Sequence, residues 1–338
     1  MKLRTLGKTG LEVSVIGFGG IPIQRVSEDE AKKLFDHSLE NGINFIDTAR
    51  GYTISEELIG KAIEGKRDKW ILATKSTARD YDGMKKDVEI SLKNLKTDYI
   101  ELYQFHFVKD RETYDQIMGK NGAYKALVEA QAEGKIGHIG ITGHDAKLLE
   151  EVIPTGKFAT VQFPYNPIEY QGENLFKIAK ELEMGVIIMK PIAGGAFEKG
   201  ELSIKYILQN ECVTSAIPGM DKMEQVTVNT ADDIVNNPLT EEEKKEIAVI
   251  VDALGDTFCR RCGYCQPCSE GINIPAQFLL EGYLLRYDLK EWAIDRFKGS
   301  DKTAYDCTEC GICEPKCPYD LPIREMMKNV QKSFKGVL

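Results

Sequence analysis

The stretch Gly42-Ile-Asn-Phe-Ile-Asp-Thr-Ala-Arg-Gly-Tyr52 contains a largely apolar run that ends in the carboxylate of Asp47. In an ordered strand such a run is buried, and Asp47 then lies where the strand gives way to its loop. The next two apolar runs of the chain also end in ionisable side chains, Lys75 and His106. A single Asp at the end of a strand could equally cap the helix that follows it. Three successive strand ends carrying Asp, Lys and His, with Tyr52 just beyond the first, instead predict one shared site.

Apolar runs alternate with helical patterns over most of the chain. A capping-box spacing from Ser27 to Glu30 predicts the start of the first helix. The turn residues Gly7 to Gly10 predict a small hairpin ahead of it. Eight strands are predicted, each followed by a helix, at residues 13–18, 43–46, 70–74, 99–105, 136–142, 159–163, 185–189 and 213–217.

This alternation predicts an α/β fold, a (β/α)8 TIM barrel. Strands separated by helices pair in parallel through right-handed crossovers, and eight such units within about 235 residues fit a barrel of typically ~250 residues. An open, doubly wound sheet is the competing fold. It is disfavoured because Gly17-Phe-Gly-Gly20 lacks the Gly-x-Gly-x-x-Gly spacing of a dinucleotide-binding turn. In a barrel, Asp47, Lys75 and His106 would face one another at one mouth.

Composition and charge limit the class of protein. The 338 residues are enough for about two domains, and a barrel domain over 1–250 with a smaller, mainly helical domain over 251–338 is expected. The chain is 42% hydrophobic and 29% charged, without the ~20-residue apolar run of a membrane span. A net charge of −9 without a basic block predicts no nucleic acid partner. The N-terminus lacks a secretory h-region, so a cytoplasmic location without a membrane partner is expected.

Eight of the nine cysteines fall in two tight clusters near the C-terminus, which is ligand spacing and not a disulfide framework. The first cluster reads Cys-x2-Cys-x2-Cys-x2-Cys and the second Cys-x2-Cys-x2-Cys-x3-Cys-Pro, the bacterial ferredoxin signature. In that signature the remote fourth cysteine serves the other cluster. One predicted 4Fe-4S ligand set is therefore Cys259, Cys262, Cys265 and Cys317, and the other is Cys268, Cys307, Cys310 and Cys313.

Structural zinc is the alternative for this region, since four thiolates suit zinc too. Zinc sites use pairs of Cys-x2-Cys and not triplets, so iron-sulfur chemistry fits better. The first cluster is one residue shorter than the signature and has Ser269 in place of Pro. One versus two clusters therefore stays open. The ninth cysteine, Cys212, is expected to be an inert thiol.

Together, Asp47, Tyr52, Lys75 and His106 suit proton transfer to an oxygen. A phenol is a poor acid near neutral pH, and a neighbouring ammonium is expected to draw its pKa down. A carboxylate keeps the ammonium charged, and a histidine can donate a hydrogen bond to the reacting oxygen. Such a group protonates an alkoxide as hydride reaches the carbonyl carbon.

The residues of the first part of the chain resemble the aldo-keto reductase superfamily. The resemblance rests on Leu6-Gly-Lys-Thr-Gly-Leu11, Gly17-Phe-Gly-Gly20, Phe45-Ile-Asp-Thr-Ala-Arg-Gly-Tyr52, Ala73-Thr-Lys75, Gln104-Phe-His106, Val161-Gln-Phe-Pro-Tyr-Asn166 and Ile217-Pro-Gly219. It implies that Asp47, Tyr52, Lys75 and His106 are a catalytic tetrad with Tyr52 as general acid. The cysteine region resembles the dicluster ferredoxin-like extension of some microbial aldo-keto reductases.

The same resemblance implies NADP(H) or NAD(H) bound without a Rossmann motif. It places these residues at the cofactor: Gly20, Thr142, His144, Gln162, Met189, Lys190, Pro191, Gly194, Pro218, Gly219, Lys222, Gln225 and Asn229. Gln162 and Thr142 would hold the carboxamide. Met189 stands where the family usually has a Tyr that stacks on the nicotinamide. It could equally be an ordinary residue of the apolar core. Gly194 and Gly219 would admit a pyrophosphate, helped by a helix N-terminus near Asp221.

Other parts of the cofactor assignment stay open at the sequence level. Where NADPH-preferring relatives have Lys and Arg, this chain has Gly219 and Gln225, and only Lys222 could substitute. The preference between NADH and NADPH is therefore undecided. Asn229 would contact adenine or be a solvated helix residue.

Two functions are compatible with the sequence. The first is an NAD(P)H-dependent oxidoreductase that reduces an aldehyde or ketone to an alcohol, or the reverse, with an iron-sulfur domain of electron-transfer or structural role. The second is an electron-transfer adaptor that uses its 4Fe-4S clusters, with the barrel as a docking platform. A small carbonyl or alcohol substrate and a redox protein partner are expected. Nothing in the sequence selects the substrate.

Overall fold

The computed structural model describes residues 1–286 and 290–337. The chain divides into two compact units. The barrel unit comprises Met1–Ile192 and Lys199–Glu243, and the cysteine unit comprises Ala193–Glu198 and Lys244–Leu338. The predicted domain boundary between residues 250 and 251 stays a prediction, and residues 287–289 and 338 of the predicted second domain lie outside the described ranges.

The chain begins with the predicted hairpin. Strand β1 (Leu3–Thr5) pairs antiparallel with β2 (Glu12–Ser14). The hairpin is confirmed, but the expectation that residues 13–18 form the first barrel strand is wrong in part. Val13 and Ser14 pair with β1, and the barrel begins at β3 (Phe18–Gly19).

Eight parallel strands form the predicted sheet, in the order in which they occur along the chain. After β3 they are β4 (Phe45–Asp47), β5 (Ile71–Ser76), β6 (Ile100–Phe105), β7 (Ile136–Thr142), β8 (Thr160–Pro164), β9 (Gly185–Met189) and β10 (Ser215–Ala216). Parallel bridges from Ile16 to Ala216 and from Gly19 to Gly219 join the two ends of the sheet. The strands therefore curl into a ring, and the predicted (β/α)8 architecture is confirmed.

Helices connect the strands as the periodicity predicts, with local differences. They are α1 (Glu28–Glu40), α2 (Ser55–Ala62), α3 (Tyr81–Asn94), α4 (Arg111–Met118), α5 (Ala123–Ala132), α6 (Ala146–Val152), α7 (Glu173–Glu181), α8 (Gly200–Leu208), α9 (Met223–Asn229), α10 (Asp232–Asn236) and α11 (Glu241–Leu254). The capping box predicted from Ser27 to Glu30 starts α1. Helix α3 begins after Asp80, which caps it by accepting from the Gly83 amide. Two short helices, α9 and α10, follow the last strand.

The hairpin supplies part of the apolar filling of the barrel. Leu6 and Val13 form one buried cluster with barrel residues such as Phe45 and Ile187. Gly185 is required there, because a Cβ atom on it would lie 2.5 Å from Leu6 Cδ1. The polar residues at the strand ends therefore lie on a strand scaffold with a well-packed interior.

The cysteine unit has its own small core. Its helices are α12 (Ile274–Leu285), α13 (Lys290–Lys298) and α14 (Ile323–Lys335). Phe297 and Phe334 stack with ring centroids 3.9 Å apart at 14°. The mainly helical character predicted for this region is confirmed. Among the described residues, no helix is long and apolar enough to cross a bilayer.

Candidate functional site

A buried ion pair lies at the ends of two neighbouring strands. Asp47 is the last residue of β4, and Lys75 lies near the end of β5. The Lys75 ammonium donates to Asp47 Oδ1 and, over 2.8 Å, to the carbonyl of Thr48. Asp47 and Lys75 are each only 2% exposed. Two charges this deeply buried are tolerated only when they are paired and hydrogen-bonded. The charge of Asp47 raises the pKa of Lys75 and so holds the ammonium in its charged form.

Two amides hold the second oxygen of the carboxylate. Gln104 Nε2 and Gln162 Nε2 donate to Asp47 Oδ2 over 2.9 Å and 3.0 Å. Sequence reasoning missed this role of Gln104. The available signal was the period of two along β6, which puts Gln104 on the same face as His106.

Tyr52 lies beside the ion pair. The Lys75 ammonium is 5.3 Å from the centroid of the Tyr52 ring and hydrogen-bonds with its hydroxyl. The rings of Tyr52 and His106 meet edge to face, with centroids 5.7 Å apart at 88°. The structure thus brings together the four residues that the sequence singled out.

The net pKa of Tyr52 differs from the expectation that Lys75 draws it down. Burial raises the pKa of Tyr52, the charge and hydrogen bond of Lys75 lower it, and Asp47 raises it again. The balance is a raised pKa, because desolvation of the phenolate outweighs the ammonium. Tyr52 is therefore a neutral phenol at neutral pH. A neutral phenol is the form that can donate a proton.

His106 is also neutral over the ordinary pH range. Burial, together with the positive charges of Lys75 and Arg79, lowers the pKa of His106 to about 3. Its Nδ1 atom is buried and has no hydrogen-bond partner among the described residues. Arg79 fixes the backbone here, since its Nη2 donates to the His106 carbonyl over 2.6 Å. A neutral imidazole in this position can hydrogen-bond to a polar atom of a bound substrate.

A second buried carboxylate supports the strands beneath the site. Glu56 is 1% exposed and accepts hydrogen bonds from Thr74 Oγ1 and Ser91 Oγ over 2.8 Å and 2.7 Å. Arg50 Nη1 donates to its other oxygen over 2.8 Å. The Arg50 amide in turn donates to the Lys75 carbonyl over 2.9 Å. This network ties the loop that carries Tyr52 to the strand that carries Lys75.

The eight clustered cysteines line two cavities in the cysteine unit. All nine cysteines of the chain, each within the described ranges, are free of disulfide bonds. One cavity is lined by Cys259, Cys262, Cys265 and Cys317 with mainly apolar neighbours. A second cavity is lined by Cys268, Cys307, Cys310 and Cys313, together with Cys265. These are the two sets that the ferredoxin spacing predicts, and apolar surroundings with four thiols each fit 4Fe-4S clusters.

The two cysteine loops have matching backbones. Each reads Cys-x-x-Cys-Gly-x-Cys. The residue before the second cysteine is left-handed in both, with φ of 58° at Arg261 and 56° at Glu309. The following glycines also have positive φ, 88° at Gly263 and 75° at Gly311.

Across the described ranges, no three or more His, Cys, Asp or Glu side chains are arranged to hold a single metal ion.

Comparison with known proteins identifies both parts of the chain. A model of the Aldo/keto reductase family matches residues 15–203, and a model of the 4Fe-4S dicluster domain matches residues 258–322. The chain belongs to the aldo/keto reductase family. It is accordingly an NAD(P)-dependent oxidoreductase, and it carries a 4Fe-4S dicluster domain.

Individual relatives agree with this family. The chain is 27% identical over 300 residues to the uncharacterized oxidoreductase YqkF of Bacillus subtilis (strain 168), covering 73% of this chain and 95% of the relative. The holo form of the aldo-keto reductase AKR11C1 from Bacillus halodurans is 27% identical, with a TM-score of 0.64 over 74% of this chain and 96% of that one. An aldo-keto reductase from Klebsiella pneumoniae, solved in complex with NADPH, shares the fold at 23% identity, a TM-score of 0.60 and coverage of 74% and 95%.

For an aldo/keto reductase, the nicotinamide end of the cofactor is expected near Gln162 and Thr142. Gln162 Oε1 is buried and has no partner among the described residues, although its amide nitrogen is used by Asp47. Thr142 Oγ1 accepts from the Phe107 amide over 2.8 Å, which leaves its hydroxyl hydrogen able to donate. An unsatisfied buried carbonyl fits the amide hydrogens of a carboxamide. The residues present therefore fit a nicotinamide.

Other predicted cofactor residues of the barrel unit already contact one another. His144 Nε2 lies 2.7 Å from Lys190 Nζ, and the His144 ring packs edge-on against Phe107 with centroids 5.2 Å apart. Met189 ends β9, directly before Lys190 and Pro191, and packs partly buried against the apolar cluster inside the barrel. Met189 therefore has the contacts of core filling, and its role at a cofactor ring stays a prediction.

Of the residues predicted at the adenosine end of the cofactor, Gln225 already bonds to its own chain. Gln225 Oε1 accepts from the amides of Asp221 and Lys222 over 2.8 Å and 3.0 Å. Because Gln225 caps α9 in this way, two amides expected to meet a phosphate near Asp221 are already bonded. Lys222 is exposed and Asn229 is half-buried on the same helix.

The predicted glycines and proline near this end are packed by their own chain. Gly219 lies against Pro22, whose Cγ would be 2.8 Å from a Cβ on Gly219. Gly20 donates its amide to the Asp47 carbonyl over 2.8 Å. The carbonyl of Pro218 accepts from Gly19 over 2.9 Å. Gly194 belongs to the cysteine unit and has a positive φ of 65°.

Proposed function

We propose that this aldo/keto reductase reduces a small aldehyde or ketone to the alcohol with NAD(P)H, or catalyses the reverse reaction, with Tyr52 as general acid or base. One observation carries the proposal. A neutral phenol lies against a buried, carboxylate-paired ammonium, with a neutral imidazole at its edge. This group is arranged to deliver a proton to an oxygen and to stabilise the phenolate that remains.

Each residue of the tetrad has a defined part in the reduction. Tyr52 gives its hydroxyl proton to the carbonyl oxygen and is later reprotonated from solvent. Lys75 stabilises the phenolate by charge and hydrogen bond, and Asp47 keeps Lys75 charged. His106, neutral at working pH, donates a hydrogen bond that orients the carbonyl oxygen. When bound, NAD(P)H supplies the hydride that adds to the carbonyl carbon.

The cofactor assignment rests on the unsatisfied carbonyl of Gln162 and on the family. Gln162 and Thr142 would hold the carboxamide, in keeping with the NADPH named for the Klebsiella pneumoniae aldo-keto reductase. NADPH and NADH are both candidates here, because the exposed Lys222 is the only cation predicted at the 2′-phosphate.

The dicluster domain would exchange electrons with a redox protein partner or would support the enzyme structurally. Hydride transfer moves two electrons together, whereas a 4Fe-4S cluster moves one at a time. The proposed carbonyl reduction balances without the clusters, so it does not depend on their role.

The test is the pair of variants Tyr52→Phe and Tyr99→Phe. Each removes one phenolic oxygen, but Tyr99 precedes β6 at the opposite end of the strands from His106 and is 38% exposed. NAD(P)H oxidation is followed with a panel of small aldehydes and ketones, and cofactor binding by fluorescence titration. Tyr52→Phe is expected to abolish turnover with cofactor binding retained, and Tyr99→Phe to behave like the unmodified protein. Equal turnover in the two variants would refute the role of Tyr52.

The adaptor function makes the opposite prediction. In that case the unmodified protein would bind no nicotinamide, and its clusters would be reduced by a protein donor alone. Detection of both cofactor binding and carbonyl turnover would exclude it as the main function.

A further inference from the structure

The residue after the remote fourth cysteine differs between the two cysteine sets. Cys317 completes the first set and is followed by Pro318, as in the ferredoxin signature. Cys268 completes the second set and is followed by Ser269. Proline has no side-chain hydrogen-bond donor, whereas serine has a hydroxyl. The second site therefore has a donor at a position where the first site has a proline.

The Ser269 hydroxyl lies beside a sulfur of the second set. Its Oγ atom is 3.6 Å from Cys310 Sγ, at hydrogen-bond distance for a sulfur atom. Ser269 and Cys310 both line the cavity of the second cysteine set. A cysteine that ligates iron is a thiolate without an S–H hydrogen, so the hydroxyl must be the donor in this pair.

A second hydroxyl near this sulfur is used by a carboxylate. Thr308 also hydrogen-bonds with Cys310, but its Oγ1 atom donates to Glu270 Oε1 over 3.4 Å. A hydroxyl has one hydrogen to donate, and hydrogen bonds to an ionised carboxylate are the stronger ones. Ser269 is therefore the hydroxyl whose hydrogen can be directed at the ligand sulfur.

The backbone hydrogen bonds of the two loops match each other. The Ile312 amide hydrogen-bonds with the Cys310 sulfur. At the equivalent place in the first loop, the Tyr264 amide hydrogen-bonds with the Cys262 sulfur. Because these amide bonds are common to both loops, they do not distinguish the two sites, whereas the Ser269 hydroxyl does.

We propose that the Ser269 hydroxyl donates a hydrogen bond to the Cys310 sulfur and raises the reduction potential of the cluster held by the second cysteine set. A hydrogen bond to a ligand sulfur draws negative charge from it and so stabilises the more negative, reduced cluster. One electron from a low-potential one-electron donor takes the cluster from its oxidised to its singly reduced state. The hydroxyl hydrogen stays on Ser269, and no bond to iron forms or breaks. This role does not depend on the carbonyl reduction proposed above.

The experiment compares Ser269→Thr with Ser269→Val in the intact protein with its clusters. Ser269 and Cys310 are both exposed, so a water molecule could take the place of a deleted hydroxyl. Valine fills that space, and threonine has a similar shape but keeps the hydroxyl. Ser300→Val is the control from the same unit, because the Ser300 hydroxyl donates to the Arg296 carbonyl over 2.8 Å. Iron and sulfide analysis shows whether both clusters are assembled.

Reduction is followed by electron paramagnetic resonance in an anaerobic potential titration. Cys310→Ser, which is expected to lose the second cluster, identifies the signal that belongs to it. Ser269→Val should make one-electron reduction of that cluster about three- to tenfold less favourable, which is a shift of about 28–59 mV to lower potential. Ser269→Thr and Ser300→Val should keep the potential of the unmodified protein.

The first cluster should keep its potential in every variant, since Ser269 belongs to the second site. An unchanged second potential in Ser269→Val, or the same shift in Ser269→Thr, would overturn the proposal. An equal shift of both clusters would show a change in the whole domain and would also overturn it. Loss of iron from the second site in Ser269→Val would assign the hydroxyl to cluster assembly, and the proposed effect on the potential would then be wrong.

Discussion

Replacing Asp47 by Asn should leave a buried ammonium without its counter-charge. Lys75 and Asp47 are each 2% exposed, and breaking one partner of such a pair costs about 3–5 kcal/mol. The new amide also cannot satisfy its neighbours, because Lys75, Gln104 and Gln162 all donate to Asp47. The Asn nitrogen, itself a donor, would face at least one of these donors.

The matched control is Asp36→Asn, which removes the partner of Lys66 from an exposed ion pair. Asp36 and Lys66 are 34% and 45% exposed, and such pairs contribute about 0–1 kcal/mol. Urea unfolding is followed by the fluorescence of Trp70, buried in the barrel unit, in a Trp292→Phe background. Asp47→Asn should lower the free energy of unfolding several-fold more than the control.

The pH dependence of this difference has a defined sign. In the unmodified protein the pKa of Lys75 is raised. Burial lowers this pKa, but the interactions with Asp47 and Tyr52 raise it by a larger amount. The pair therefore contributes stability that is fully present below the unfolded pKa of ~10.4 and is lost as pH rises through the folded value. The difference in unfolding free energy between Asp47→Asn and the unmodified protein should therefore become smaller above pH ~10. The reasoning would be refuted if Asp47→Asn lost no more unfolding free energy than Asp36→Asn. It would also be refuted if the loss in Asp47→Asn were independent of pH.

Three further outcomes are expected. Gln104→Leu removes a hydrogen bond to the buried carboxylate of Asp47, so kcat/KM should fall about tenfold or more; an unchanged value in steady-state assays would contradict this. Because the pKa of His106 is about 3, the kcat profiles of the unmodified protein and His106→Gln should have the same shape between about pH 5 and 8; a step near pH 6.5 in the unmodified protein alone would be evidence against a neutral His106. Cys310→Ser should lower the iron content by about half, whereas Cys212→Ser should leave it unchanged; chemical iron analysis that gives equal iron in both would contradict the ligand assignment.

The fold and the tetrad could be predicted because their signals are local. A strand that ends in a charged residue is visible in the sequence, and parallel strands in a barrel bring their ends to one mouth. Asp47 and Lys75 follow from that rule alone. The capping box at Ser27 is equally local, since its two hydrogen bonds involve residues three apart.

The remaining features depend on partners distant in sequence. Val13 can extend either a hairpin or a barrel strand, and the pairing with β1 decides between them. The direction of the Tyr52 pKa depends on how deeply the phenol is buried, which composition does not give. Gln225 caps its own helix, so its place near a phosphate could not be inferred from position alone.

The matched cysteine loops put opposite charges at one equivalent position, Arg261 in the first and Glu309 in the second. An electron added to a cluster makes it more negative, so a nearby cation favours the reduced state and a nearby anion opposes it. Glu309 is paired with Lys328, 2.8 Å away, and Arg324 lines the cavity of the second cysteine set. Two sites built on one backbone template therefore differ in the charges around them, and clusters held there would differ in how readily each takes up an electron.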